Sequence, residues 1–234
     1  MRAKKALLVV FMFMFCGYVY GQFAGDGGKQ TVVGTDHDLH TEFAGGTAVC
    51  DYCHVPHKFN VIANQPPLLW NVQVKPGPYA TYSSSSFDGA GTIRDPSAAS
   101  GTKDAAYMTL LCLSCHDGTI TQASFYQVTP AMGGAGSVTA PVIGGPGGLS
   151  NDHPVDFVYS VTLATADGGL KSPTEGTGVR IPYVGTLPLF KDQPSDVSGR
   201  LECATCHNPH NDSRGKFLRI TDNASSLCLT CHGL

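Results

Sequence analysis

The chain is poor in charge. Only 14% of its 234 residues are Asp, Glu, Lys or Arg, and the formal net charge is −3. Binding a polyanion needs a basic surface, so nucleic acid is excluded as an expected partner. The chain is also poor in what sustains regular structure, because 28 glycines and 15 prolines interrupt helices and strand ladders alike. After the first 20 or so residues no hydrophobic run reaches the roughly 20 residues that a spanning helix needs. Methionine is scarce too, with only Met108 and Met132 beyond that first stretch. The composition is nevertheless not that of a disordered chain, since 42% of the residues are hydrophobic. Such a chain must build its core around something other than its own helices and sheets.

Residues 1–21 read as a signal peptide. Arg2, Lys4 and Lys5 form a positive n-region, Ala6 to Tyr20 an apolar h-region, and Val19 and Gly21 suit the −3 and −1 cleavage sites. The h-region, about 15 residues, is too short for a membrane anchor. Phe15 before Cys16 speaks against a lipoprotein, because that position needs a small residue. The expectation is a mature chain of residues 22–234, starting at Gln22, secreted to the extracellular space or cell surface, or else held in the periplasm.

Nine cysteines are present, and loss of Cys16 with the leader leaves eight. All eight fall into Cys-x-x-Cys-His units: Cys50 and Cys53 before His54, Cys112 and Cys115 before His116, Cys203 and Cys206 before His207, and Cys228 and Cys231 before His232. This is the c-type haem attachment pattern. Two thiols three positions apart reach the two vinyl groups on one porphyrin edge, and the next residue, histidine, ligates the iron from one face. Zinc sites do not demand a histidine after every second cysteine. A thioredoxin-type pair needs one motif in a βαβ unit, and four disulfides would leave four adjacent histidines unexplained. The pattern points to four c-type haems with eight thioether cysteines and four proximal histidines.

Each iron has a second axial position. Five other histidines are available for four irons: His37, His40, His57, His153 and His210. Histidine at the sixth position lowers the reduction potential relative to methionine, so four low-potential, low-spin, bis-histidine haems are expected. His57 and His210 each follow a proximal histidine by three residues, in His54-Val55-Pro56-His57 and His207-Asn208-Pro209-His210. That short link lies on the proximal side, so each is expected to serve a neighbouring haem. His153 sits in the turn-rich Asn151-Asp152-His153-Pro154 and is drawn in by the ligand count. His37 and His40 share an N-terminal arm that can serve a haem of its own chain or of another subunit.

The chain reads as a duplicated two-haem unit, about residues 35–130 and 150–234, joined by a connector over Gly133 to Gly148. The first copy carries an insertion containing the polar run Ser83 to Ser86. Regular structure is expected to be mostly coil with few short helices and minimal strand. One helix is expected over Ala105 to Leu111, capped by Ser100 or Thr102, another from Ser225 or Ser226, and a short strand over Phe157 to Leu163. Trp70, Phe87, Phe125, Phe157 and Phe217 are the expected aromatic contributors to the core.

The haem motifs and their flanks resemble a known family. His37-Asp38-Leu39, Pro67-Leu68-Leu69-Trp70-Asn71, Leu111 to Gly118, Asn151 to Val155 and Glu202 to His210 are similar, over essentially the whole mature chain, to multihaem cytochromes with doubled haem motifs. Among them the chain looks most like the tetrahaem OmcE-type cytochromes of metal-reducing bacteria, which polymerise into extracellular nanowires. The resemblance implies a multihaem cytochrome c wrapped around a stacked haem chain, and copies of the chain joined head to tail in a helical filament. It implies His37 as a ligand to a haem of the adjacent subunit, with His40 as an extra. Redox partners in the cell envelope and extracellular acceptors such as metal oxides follow from it. A soluble periplasmic shuttle is the alternative. A multihaem reductase fits less well, because it needs an open iron and the histidine supply suffices to close all four.

One outcome follows from composition alone. Chain expressed without haem attachment should lack cooperative unfolding and native compactness; a compact, cooperatively melting apo-chain by scattering and calorimetry would refute this.

Overall fold

The computed structural model describes residues 32–55, 70–75, 77–99, 104–143, 148–176, 178–181 and 186–233. The expected signal peptide over 1–21, Gln22, His57, Leu68, Leu69, Ser100 and Thr102 lie outside these, as does part of the expected 133–148 connector. Among the described residues no helix is long and apolar enough to cross a membrane.

Among the described residues the architecture is mostly coil, with few short helices and two small antiparallel pairs of strands. The helices are α1 (Tyr107–His116), α2 (Val161–Asp167), α3 (Cys203–Cys206) and α4 (Ser226–Cys231). Strand β1 (Phe157–Tyr159) pairs with β4 (Gly199–Leu201), setting Phe157 opposite Leu201 and Tyr159 opposite Gly199. Strand β2 (Arg180–Ile181) pairs with β3 (Leu187–Pro188). At Gly199 an added Cβ would stand 2.7 Å from the Leu189 side chain, so the close approach there needs glycine.

Helix α1 begins two residues later than expected and runs through the second haem motif to His116. Its amino end is held by carboxylates: the Asp104 carboxylate accepts from the Ala106 N–H at 3.0 Å, and Asp192 accepts from the Ala105 N–H at 3.1 Å. Acids at a helix start satisfy orphan donors and complement the dipole. Tyr107, Thr109, Leu110, Leu111, Leu113 and Ser114 are all buried, so the helix is covered on most sides. It ends at Asp117, followed by Gly118 with φ +76°, a conformation that favours glycine.

The strand expected over Phe157 to Leu163 stops at Tyr159. The Ser160 hydroxyl accepts from the Leu163 N–H at 3.1 Å and turns the chain into α2. A serine cap outweighs the weak alternation of residues 161–163.

Among the described residues, packing is divided among three small clusters. One is drawn from Phe43, Tyr52, Val72, Phe125 and Met132. A second joins Tyr79, Tyr107, Leu110, Leu113 and Leu149. The third collects Phe157, Tyr159, Ile181, Leu187, Leu201 and Cys231. Of the five aromatics expected inside, Phe125, Phe157 and Phe217 are buried, whereas Trp70 and Phe87 are half-buried.

A buried ion network ties these parts together. The Arg94 Nε donates to Asp156 at 2.9 Å, its Nη1 to Asp104 at 3.2 Å and its Nη2 to Asp192 at 2.8 Å. Arg200 donates from Nε to Asp192 at 2.9 Å and from Nη1 to the Asp156 carbonyl at 3.0 Å. The Asp156 side chain is fully buried. Removing one partner of a buried pair strands the other charge and costs about 3–5 kcal/mol. An Arg94→Met variant should lose stability toward the low end of that range, since Arg200 remains beside Asp156. A denaturant midpoint equal to the parent's would show that the network adds no net stability.

Candidate haem-binding site

In all four motifs the backbone makes one helical turn from the first cysteine to the histidine. In the first, the Cys53 and His54 N–H groups donate to the Cys50 carbonyl at 3.1 and 2.8 Å. The second lies in the last two turns of α1, the third is α3 itself, and the fourth closes α4. The His207 N–H donates to the Cys203 carbonyl at 3.1 Å and the His232 N–H to the Cys228 carbonyl at 2.9 Å. A turn of this kind brings residues i and i+3 to one face, so each pair of thiols is presented together.

The eight thiols are free. Burial pushes Cys53 and Cys231 up to about 12 and Cys115 and Cys206 up to about 11. Cys203 shifts the other way, lowered chiefly by the neighbouring Cys112 thiol. Among the described residues no three His, Cys, Asp or Glu side chains gather as a metal-ion site, so the cysteines do not form a zinc cage there. The second and third motifs also lie side by side: the Thr109 hydroxyl on α1 donates to the Cys203 sulfur at 3.5 Å and accepts from the Cys203 N–H at 3.3 Å.

The imidazoles are arranged in pairs. The rings of His54 and His210 have centroids 6.1 Å apart and planes within 18° of each other. His37 and His116 have centroids 6.2 Å apart at 61°. Two imidazoles ligating one metal from opposite faces place their ring centres roughly 6 Å apart, given a metal–nitrogen bond of about 2 Å on each side. His153 and His232 both line a cleft of about 420 Å³ with Phe87, Phe157, Leu163 and Leu170. Their charges oppose each other, although burial is the larger cause lowering the His153 pKa. Burial also lowers His37 and His210, reinforced by the neighbouring His116 and His54 respectively.

Ring orientation has a common cause. His116 Nδ1 meets the Pro141 carbonyl at 2.8 Å, His207 Nδ1 the Lys216 carbonyl at 2.8 Å, His153 Nδ1 the Pro154 carbonyl at 3.0 Å and His37 Nδ1 the Pro209 carbonyl at 3.3 Å. A carbonyl only accepts, so in each bond the Nδ1 carries the proton and Nε2 keeps its lone pair. This is the orienting partner that metal-binding histidines generally have. Phe217 fixes the His37 ring further, lying nearly parallel to it at 4.1 Å. Trp70 crosses the His54 ring edge-on at 5.9 Å and anchors through Nε1 to the Ser114 hydroxyl at 3.2 Å.

The structure thus places each sequence-selected residue as follows. His54 meets His210, and His116 meets His37 of the same chain rather than facing outward. His232 shares its cleft with His153. His207 has its Nδ1 oriented, while its counterpart among the candidates, His57, lies outside the described residues. His40 turns its Nδ1 to the buried Asp38 carboxylate. The orienting carbonyls escaped sequence reasoning because every residue carries one. Phe217 was legible only as an apolar residue, with no signal that its ring would stack on His37.

A family model described as Doubled CXXCH motif matches residues 195–233, the span holding the third and fourth motifs. No curated protein matches the chain. The motif match, the one-turn thiol pairs and the imidazole spacing agree with covalently bound c-type haem and its iron. Together they support a multihaem c-type cytochrome, a class whose members carry electrons.

This geometry makes a spectroscopic prediction. His153→Ala should turn one haem from six-coordinate low-spin to five-coordinate high-spin, with carbon monoxide binding on reduction. An unchanged low-spin spectrum would remove His153 from the ligand set.

Proposed function

We propose that the chain is an electron carrier holding four bis-histidine c-type haems, and that it works as the subunit of an extracellular filament. The observation that carries the haem reading is the pair of imidazole separations, 6.1 and 6.2 Å, each joining a proximal histidine to a remote one. The thioethers would form at Cys50 and Cys53, Cys112 and Cys115, Cys203 and Cys206, and Cys228 and Cys231. His54 with His210, His116 with His37, and His232 with His153 would hold three irons. His207 with His57 would hold the fourth, by the symmetry of the two His-x-Pro-His segments.

Bound haem supplies a one-electron iron centre. The protein's own part is to keep the His37, His116, His153 and His207 imidazoles neutral and aimed, through their Nδ1–carbonyl bonds, and to offer a histidine at both axial positions. A closed iron passes electrons and admits no substrate, which favours a carrier over a reductase.

The filament rests on the resemblance and on the arm. His37 reaches His116 within one chain, but the arm's other histidine, His40, is about one-third exposed at its side chain (38%). An arm that lies against its own chain can make the same contact on a neighbour by exchange, a head-to-tail contact that need not close. Electron microscopy of the native exported protein should show filaments, and His37→Ala should yield single particles with one five-coordinate haem. Native protein that appears only as single particles would leave the soluble shuttle. His37→Ala filaments with every haem six-coordinate would free His37 of both roles.

A further inference from the structure

The cleft shared by His153 and His232, about 420 Å³, is walled in part by a segment that lies between the first and second haem motifs in sequence. Tyr82, Ser86, Phe87, Asp88 and Gly89 line it, although both histidines are far downstream. Within that segment Phe87 carries the apolar ring. It meets Phe157 edge-on at 5.3 Å and Tyr82 edge-on at 5.5 Å. It packs against the third cluster and is half-buried. The ring also folds back over Gly89, where an added Cβ would stand 2.7 Å from it. Phe87 is thus at once core and cleft wall. Its neighbours in the lining, Ser86 and Asp88, are exposed. The ring therefore stands at the boundary between solvent and the apolar lining of Phe157, Leu163 and Leu170.

Hydrogen bonds fix the segment there. The Phe87 N–H donates to the Ser84 carbonyl at 3.2 Å, and the Ala90 N–H to the Phe87 carbonyl at 3.2 Å. A 3₁₀ turn over Asp88–Gly91 follows, packed on β1 and α2. Thr92 then ties the chain to the paired strands. Its hydroxyl accepts from the Val158 N–H at 3.1 Å, and its carbonyl from Arg200 Nη1 at 3.0 Å. The strand pair that carries Phe157 into the cleft thus also holds the Phe87 ring against it.

We propose that Phe87 shields the haem held between His153 and His232 from water and so raises that haem's reduction potential. The inference rests on the haem reading above and deepens it, giving a segment outside all four motifs a part in deciding where an electron resides. The exchange is one electron from a one-electron donor onto ferric iron; no bond forms or breaks. Between two neutral imidazoles the ferric iron–porphyrin core carries net positive charge and the ferrous core none. Water stabilises the charged form, so an apolar wall that excludes water favours the neutral one and lifts the potential. Loss of the ring admits water and lowers the potential of this haem alone.

The test is a potentiometric titration of the haem-loaded protein followed by electron paramagnetic resonance, with the haem mass counted in every sample. The low-spin ferric signal that His153→Ala removes marks the haem in question. In Phe87→Ser that signal should persist, with a midpoint below the parent's, while the other three midpoints stay in place. Phe87→Leu keeps an apolar wall and should restore most of the potential. If Phe87→Ser does not fold, Phe87→Leu and Phe87→Val narrow the wall in steps, and the midpoint should fall in the order Phe, Leu, Val. A midpoint that stays or rises, or a fall spread equally over all four haems, overturns the shield and leaves the haem reading intact. A wild-type mass without haem at Cys228 and Cys231 overturns both.

Discussion

The arrangement of the chain answers to one constraint: imidazole rings from remote segments must meet across a fixed gap with the right nitrogen free. His210 is far from His54 in sequence, and His37 is far from His116, yet their rings come to 6.1 and 6.2 Å. Keeping those distances means bending the backbone wherever necessary. Glycine and proline abundance is the compositional consequence, because turns and left-handed residues bring distant loops together. Lys216 and Phe217 both take positive φ, at 54° and 57°, without being glycine. The first of them presents its carbonyl to His207, and the second lays its ring on His37. Backbone strain and ligand orientation therefore coincide at one place.

Around this frame the described residues hold their apolar contacts in three small clusters and two short strand pairs, where a domain ordinarily has continuous layers. The Arg94–Asp156–Arg200 network and the Thr109–Glu202 bond bind the second motif to the third. These contacts join α1, the residues before β1, and β4, so the electrostatics does part of the work that apolar layers do elsewhere.

Much of the site could be read from spacing because a covalent attachment leaves a local signature. Cysteine, cysteine and histidine within one turn are constrained by the porphyrin edge, and that constraint acts over five residues. The sparse regular structure was legible for a similar reason, since glycine and proline act on their own positions. Element ends were less so. Helix α1 takes its amino-terminal partners from Asp104 and from Asp192, the latter remote in sequence, and no local reading finds a remote cap. The strand at Phe157 was cut short by a serine whose capping role competes with alternation.

The sequence by itself determined which residues carry the haem-attachment pattern and how many remote histidines are available to complement them. Those are matters of residue type and near-neighbour spacing. Only the tertiary structure decided which histidines come face to face, that His37 meets His116 within its own chain, and that the carboxylate beside Cys203 is buried against the Thr109 hydroxyl. Each depends on approach between segments far apart in the chain, and a single sequence carries no measure of that approach. Ring separation, carbonyl direction and the balance of buried charge exist only once the chain has closed on itself.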